Sequence, residues 1–138
     1  MGRIQARAAA MQMVYENMLG GDGGDETLCG LIAFEPDEGD REYIDCILQG
    51  VEQHTEELDG RISSLLQDWT IDRISRVDLA ILRVAAFEIL YHPCEVENAA
   101  AVNEAVNLAQ RFDTPESGRF INGVLRNLVR EQEGEKQE

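Results

Sequence analysis

Three arginines near the end of the chain, Arg119, Arg126 and Arg130, recur at helical spacing. At about 100° per residue they lie within about 40° of one line, and Ile121, Val124, Leu125, Leu128 and Val129 make up a broad apolar face with Phe120. A row of guanidinium groups forks onto phosphate oxygens and stacks on flat rings, which suits a nucleic-acid backbone. An ordinary solvated charge face has the same spacing. Arg3 and Arg7, at i and i+4, add a second pair near the start of an N-terminal helix. Cations there oppose the helix dipole, so they either serve a partner or form an exposed pair without a role.

Catalytic patterns are missing from the sequence. His54 and His92 lie in separate segments, and Glu88, His92 and Cys94 make a poor metal set. There is no Gly-x-Ser-x-Gly, P-loop or Gly-x-Gly-x-x-Gly pattern. The run from Gly20 to Asp25 resembles a phosphate cradle only in its glycines, because its aspartates would repel phosphate. Those aspartates also lack the ligand spacing of a calcium loop. Cys29, Cys46 and Cys94 are an odd number at wide spacing, read as reduced thiols of a cytoplasmic protein. The expectation is a binding protein with no cofactor and no metal.

The chain has 138 residues with 12 Lys plus Arg against 27 Asp plus Glu, a formal charge of −15. That total argues against a polyanionic partner until it is located. Residues 20–60 hold thirteen carboxylates and one basic residue, Arg41, whereas residues 61–130 are almost neutral. Of the twelve cations, eleven are Arg and only Lys136 is Lys. Apolar residues make up 43%, enough to bury a core. The N-terminus has no secretory pattern, and the apolar stretch from Val77 to Tyr91 is interrupted by charge and too short for a bilayer.

Helices must position these groups, since strand signals are nearly absent. Residues 3–19, rich in Ala and Met, suit a helix that another approaches closely, and 20–39 reads as an acidic loop in which Leu31, Ile32 and Phe34 touch the body. From Asp40 to about Gln67 the apolar spacing gives two helices or one kinked helix, with a junction from Trp69 to Asp72. The segment from Ser75 to His92 is apolar on nearly every side, the pattern of a central helix. Two amphipathic helices follow, Asn98 to Phe112 and Thr114 to Gln132, the latter with Thr114 as N-cap and Pro115 at the first helical position. The predicted fold is all-α, with six to seven helices. One domain spans 1–138, with subdomains 1–70 and 71–131 and an acidic tail, 132–138.

Three blocks carry a likeness to a known family: Ile81-Leu82-Arg83-Val84-Ala85-Ala86-Phe87-Glu88, Val102-Asn103-Glu104-Ala105-Val106-Asn107-Leu108-Ala109, and Glu116-Ser117-Gly118-Arg119-Phe120-Ile121-Asn122-Gly123-Val124-Leu125. With Ala6, Arg7, Gln12 and Tyr15 at the front, the chain resembles the NusB family of transcription antitermination factors over nearly its whole length. The resemblance implies two packed three-helix subdomains. It also implies binding of single-stranded boxA RNA from ribosomal RNA leaders, as a heterodimer with NusE, the small-subunit ribosomal protein. That complex joins NusA, NusG and RNA polymerase to resist termination.

Position by position, the resemblance implies that Arg3 and Arg7 belong to an N-terminal RNA-contacting cluster. Glu116, Arg119 and Phe120 match a second RNA-contacting patch, and Arg126 extends its stripe. Tyr15, Asp78 and Arg83 match the NusE-facing side. The chain departs from the family pattern in its halved arginine cluster, Arg3-Ile4-Gln5-Ala6-Arg7, and in Glu97, Ala99 and Gln110 where proline or lysines are usual. Two alternatives stand beside this reading. One is a helical interaction module with weak RNA binding that pairs with NusE or with itself as a homodimer. The other is the detached NusB-like domain of a ribosomal-RNA cytosine methyltransferase.

Overall fold

The computed structural model describes residues 3–20, 37–66, 70–91, 93 and 97–137. Cys29, His92, Cys94, Trp69 and the apolar residues of the acidic loop lie outside the described residues. Among those described there are six helices and no strand: α1 (Arg3–Met18), α2 (Glu38–Gln53), α3 (Thr55–Leu65), α4 (Arg76–Tyr91), α5 (Asn98–Phe112) and α6 (Pro115–Gln137). The all-α expectation therefore holds. No helix among these residues is long and apolar enough to cross a membrane.

Helix α4 packs against each of the other five. Its residues from Asp78 to Ile89 are buried, apart from the half-buried Arg83, as its all-round apolar pattern requires. In α1, Ala6, Ala8, Ala9 and Ala10 are buried, so the backbones of α2 and α4 approach it over small side chains. Gly50 of α2 serves the same purpose at one point. A Cβ there would collide with the Phe87 ring, so only glycine admits it.

Helix α2 starts inside the segment read as loop. Asp37 accepts from the Asp40 backbone N–H at 2.7 Å, and Asp40 accepts from the Asp37 N–H at 3.2 Å. This reciprocal capping box uses Asp at both positions and sets the start at Glu38. His54 separates α2 from α3. At α6, Thr114 caps as expected, its Oγ1 accepting from the Ser117 N–H at 3.1 Å.

A buried ion pair sits inside this apolar body. Arg7 of α1 is 4% exposed and Glu88 of α4 is 1% exposed. Arg7 Nε and Nη2 donate to the two Glu88 carboxylate oxygens at 2.8 and 2.9 Å. The Tyr43 hydroxyl of α2 donates to Glu88 Oε1 at 3.1 Å, and its ring lies under the guanidinium at 5.6 Å. Glu104 of α5 approaches Arg7 Nη1 at 3.9 Å. Burial alone would lower the Arg7 pKa, but the Glu88 hydrogen bonds and the charges around it raise it, so the guanidinium stays protonated. The expectation that Arg7 offers a guanidinium to RNA is corrected here: the group is committed to Glu88 and cannot face solvent.

Removing one member of a buried pair strands the other charge, at about 3–5 kcal/mol. Arg7→Met and Glu88→Leu should each lower unfolding free energy by about that amount, with the double variant recovering a large part of it. Urea titrations of the four proteins check this, and additive losses would show that the two groups do not act as a pair.

Candidate nucleic-acid and protein interface

The candidate surface is built on α6 and on the ends of the helices beside its start. The α6 face with Ile121, Val124, Leu125 and Leu128 is buried, which turns Arg119, Arg126 and Arg130 outward. Arg119 is well exposed and, among the described residues, pairs with the equally exposed Glu116 at 3.5 Å. Arg126 Nε donates to Asn122 Oδ1 at 3.0 Å and Arg130 Nη1 to Asn127 Oδ1 at 3.3 Å. An amide oxygen holds a guanidinium without neutralising it, so both keep their charge for a ligand. They border a groove of about 310 Å³ shared with Asn98, Ala99 and Asn103 at the start of α5.

One turn before this stripe, Glu116 and the half-buried Phe120 line a cavity of about 260 Å³ with Arg73, Ile74 and Asp78. Ser75 and Ser117 complete it. Ser75 Oγ accepts from the Asp78 N–H at 3.0 Å, capping α4, and donates to Asp113 Oδ2 at 2.9 Å. Ser117 Oγ donates to the same oxygen at 3.0 Å. These bonds tie the start of α4 to the end of α5 and the start of α6.

Asp78 is 6% exposed. Burial, then the hydrogen bond with Asp113 and that residue's charge, push its carboxyl up from 3.8 to about 6, against smaller opposing effects of Ser117 and Ser75. Burial works against the charge of Asp113 too, but hydrogen bonds from Ser75, Ser117 and Asp78 hold it below the usual carboxylate range. The two carboxyls therefore share one proton at mildly acid pH.

On the other side of the α4 start, Tyr15 opens onto an apolar groove of about 470 Å³ with Met11, Gln12, Val77 and Phe112. Val77 and Asp78 are neighbours in the first turn of α4, so both hollows border the start of that helix. Residues assigned by resemblance to RNA and to a protein partner thus share one end of the molecule. Arg83 does not join them. It is largely buried, forms a bidentate pair with Asp59 of α3 at 2.8 and 2.7 Å, and borders a different groove with Val14 and Leu48. Arg3 begins α1.

The sequence alone gives no structural role to Ser75, Asp113 and Ser117. The Ser75-x-x-Asp78 spacing is a capping signature and could have located the α4 start. Nothing local shows that Ser75 also reaches Asp113.

The raised pKa of Asp78 makes stability depend on pH. The folded chain holds the Asp78 proton more tightly than the unfolded chain, so this contribution is complete below about pH 4 and is lost as pH rises through about 6. The depressed Asp113 acts in the opposite sense at lower pH. Asp78→Asn places an amide donor where the proton sits, and should raise stability at pH 7.5 by roughly 1–3 kcal/mol, with the gain shrinking toward pH 4. Thermal melts across that range check it, and a variant less stable than wild type at pH 7.5 would contradict the shared proton.

Known proteins share this outline. The NusB family model matches residues 4–130. The chain is 40% identical over 131 residues to the transcription antitermination protein NusB of Acetivibrio thermocellus, covering 94% of this chain and 90% of that one. It is 41% identical over 133 residues to that of Clostridium botulinum strain Alaska E43, covering 94% and 99%. Among solved structures, T. maritima NusB superposes with a TM-score of 0.81 at 26% identity, covering 95% of this chain and 92% of that one. A structure of antitermination factors NusB and NusE in complex with dsRNA shares the fold, with a TM-score of 0.79 at 24% identity and coverage of 93% and 96%. With a family model spanning most of its length and relatives of this identity, the chain belongs to the NusB family, a family of transcription antitermination factors and not of enzymes.

Proposed function

We propose that this chain binds boxA-type single-stranded RNA in partnership with NusE, and that it promotes processive transcription of ribosomal RNA operons in the cytoplasm. The observation that carries the reading is the exposed line of Arg119, Arg126 and Arg130 beside the Phe120 ring, in a chain of net charge −15. A cation stripe whose ion pairing among the described residues is confined to the exposed Arg119–Glu116 contact, next to an aromatic ring, supplies the two requirements of single-strand binding, neutralised phosphates and a stacking platform. RNA runs along α6, with Glu116 and Arg119 at one end and Arg126 further along, and Arg3, from the N-terminal cluster that the family resemblance assigns to RNA, is a further contact. Arg7 is not part of it.

NusE docks on the neighbouring Tyr15 side, where the apolar groove and Asp78 meet. Arg83 supports that side indirectly, through its pairing with Asp59. The pair of proteins on RNA then enters the larger complex with NusA, NusG and RNA polymerase. The chain's own contribution is binding and placement.

Replacing both Arg119 and Arg126 by Glu should weaken boxA RNA binding at least tenfold and flatten its salt dependence, by about 0.7 in log–log slope for each phosphate that is no longer neutralised. Circular dichroism should be unchanged, because both side chains are exposed. Titrations of labelled RNA with and without NusE measure this. Unaltered affinity would make the stripe ordinary surface, and failure of the wild-type chain to bind RNA even with NusE would overturn the function.

A further inference from the structure

A groove of about 410 Å³ opens between the C-terminal ends of α1 and α2. Its apolar floor is Val14 and Met18 of α1 with Leu48 and Val51 of α2, of which Met18 and Leu48 are only half-buried. Asn17 and Glu52, both exposed, form the rim. At about 100° per residue, the α1 residues of this groove lie roughly a third of a turn round the helix from those of the Tyr15 groove. No residue of α6 lines it. It is separate from both the arginine stripe and the Tyr15 side.

Charge narrows what can cover it. The groove holds the last turns of two helices, and neither last turn carries a basic residue, so the negative ends of both dipoles meet here without compensation. Glu52 adds a full negative charge, and no cation pairs with its carboxylate among the described residues. Arg83, the cation in the lining, is neutralised by its bidentate bond to Asp59. Such a groove repels three occupants of like charge. RNA is a polyanion, and a second copy of this chain carries −15. The chain's own residues 21–36 hold Asp22, Asp25, Glu26 and Glu35 but no Lys or Arg. What remains is a cationic partner with an apolar side.

We propose that this groove docks a basic amphipathic helix of a partner protein, with an apolar side chain seated between Met18 and Leu48 and a lysine or arginine meeting Glu52. The volume admits the anchoring side chains of such a helix while its backbone stays outside. Met18, flexible and polarizable, adjusts to the shape of the anchor. Because the arginine stripe and the Tyr15 side lie on other faces, the docked helix joins their ligands without displacing them. The chain thereby gains a third point of attachment within a larger assembly.

The probe is a short helical peptide of Leu and Lys with its leucines on one face, compared with a peptide of the same composition whose leucines are scattered. Binding of each labelled peptide to the full chain is measured by fluorescence anisotropy at about 0.15 M salt, where attraction is screened beyond about 8 Å. Wild type should bind the one-faced peptide about tenfold more tightly than the scattered one. Glu52→Arg should weaken that binding by about tenfold. Glu42→Arg, an equal charge reversal at an exposed α2 position outside the groove, should change it by less than about twofold. Both side chains are exposed, so circular dichroism should match wild type. Equal losses from the two reversals, or equal binding of the two peptides, would reduce the attraction to net charge and overturn the proposal, as would absence of binding by wild type. If sedimentation shows the chain paired with itself and Glu52→Arg separates the copies, the groove belongs to self-association and the proposal fails. NusE should bind together with the peptide. Displacement of the peptide by NusE would merge the two protein surfaces and contradict a separate site.

Discussion

A guanidinium and a carboxylate taken out of water lose more hydration than their attraction returns, unless geometry is good and the remaining hydrogen-bonding capacity is used. The Arg7–Glu88 pair meets both conditions. The fork is bidentate, Tyr43 donates to the carboxylate, and the guanidinium lies over the Tyr43 ring. One cluster therefore joins α1, α2 and α4, and Glu104 brings α5 to its edge. A slip of α1 along α4 by one residue would turn Arg7 away from Glu88 and leave both charges in an apolar interior. The pair contributes mainly to register, since a hydrophobic replacement of both could match it in stability.

Fixing that register decides which charges remain for partners. Arg7 is consumed internally, and Arg83 is held by Asp59. Three of the cations that stay outward form a line on α6, which packs on α3, α4 and α5, whereas the carboxylate-rich α2 packs on α1, α3 and α4. A net charge of −15 is thus compatible with a polyanion because it is distributed unevenly. The acidic helices repel RNA, and the arginine line gives it one place to settle.

Helix periodicity was legible because it is local. The boundaries of α5, the Thr114 and Pro115 start of α6, the close-packing face of α1 and the outward line of arginines all follow from residues within a few turns of one another. The start of α2 was misplaced because an Asp–Asp capping box inside an acidic, glycine-rich stretch looks like loop. Arg7 was misread for a different reason: its partner is 81 residues away, and a helix-start arginine has the same spacing whether it meets solvent or a buried carboxylate. The same distance in sequence hid the Ser75, Asp113 and Ser117 junction, and with it the placement of Asp78 beside Phe120 rather than beside Arg83.

The polarity of the surface can be measured directly. Gly123 on the arginine-bearing helix and Gly60 on α3 both face open space, with nothing within 4 Å of an added Cβ, so each accepts a photoreactive side chain without disturbing the core. Irradiation of the two variants with boxA RNA and NusE should give RNA crosslinks from position 123 and essentially none from position 60. Crosslinking that is equal at the two sites, or confined to position 60, would contradict the assignment of RNA to the arginine face.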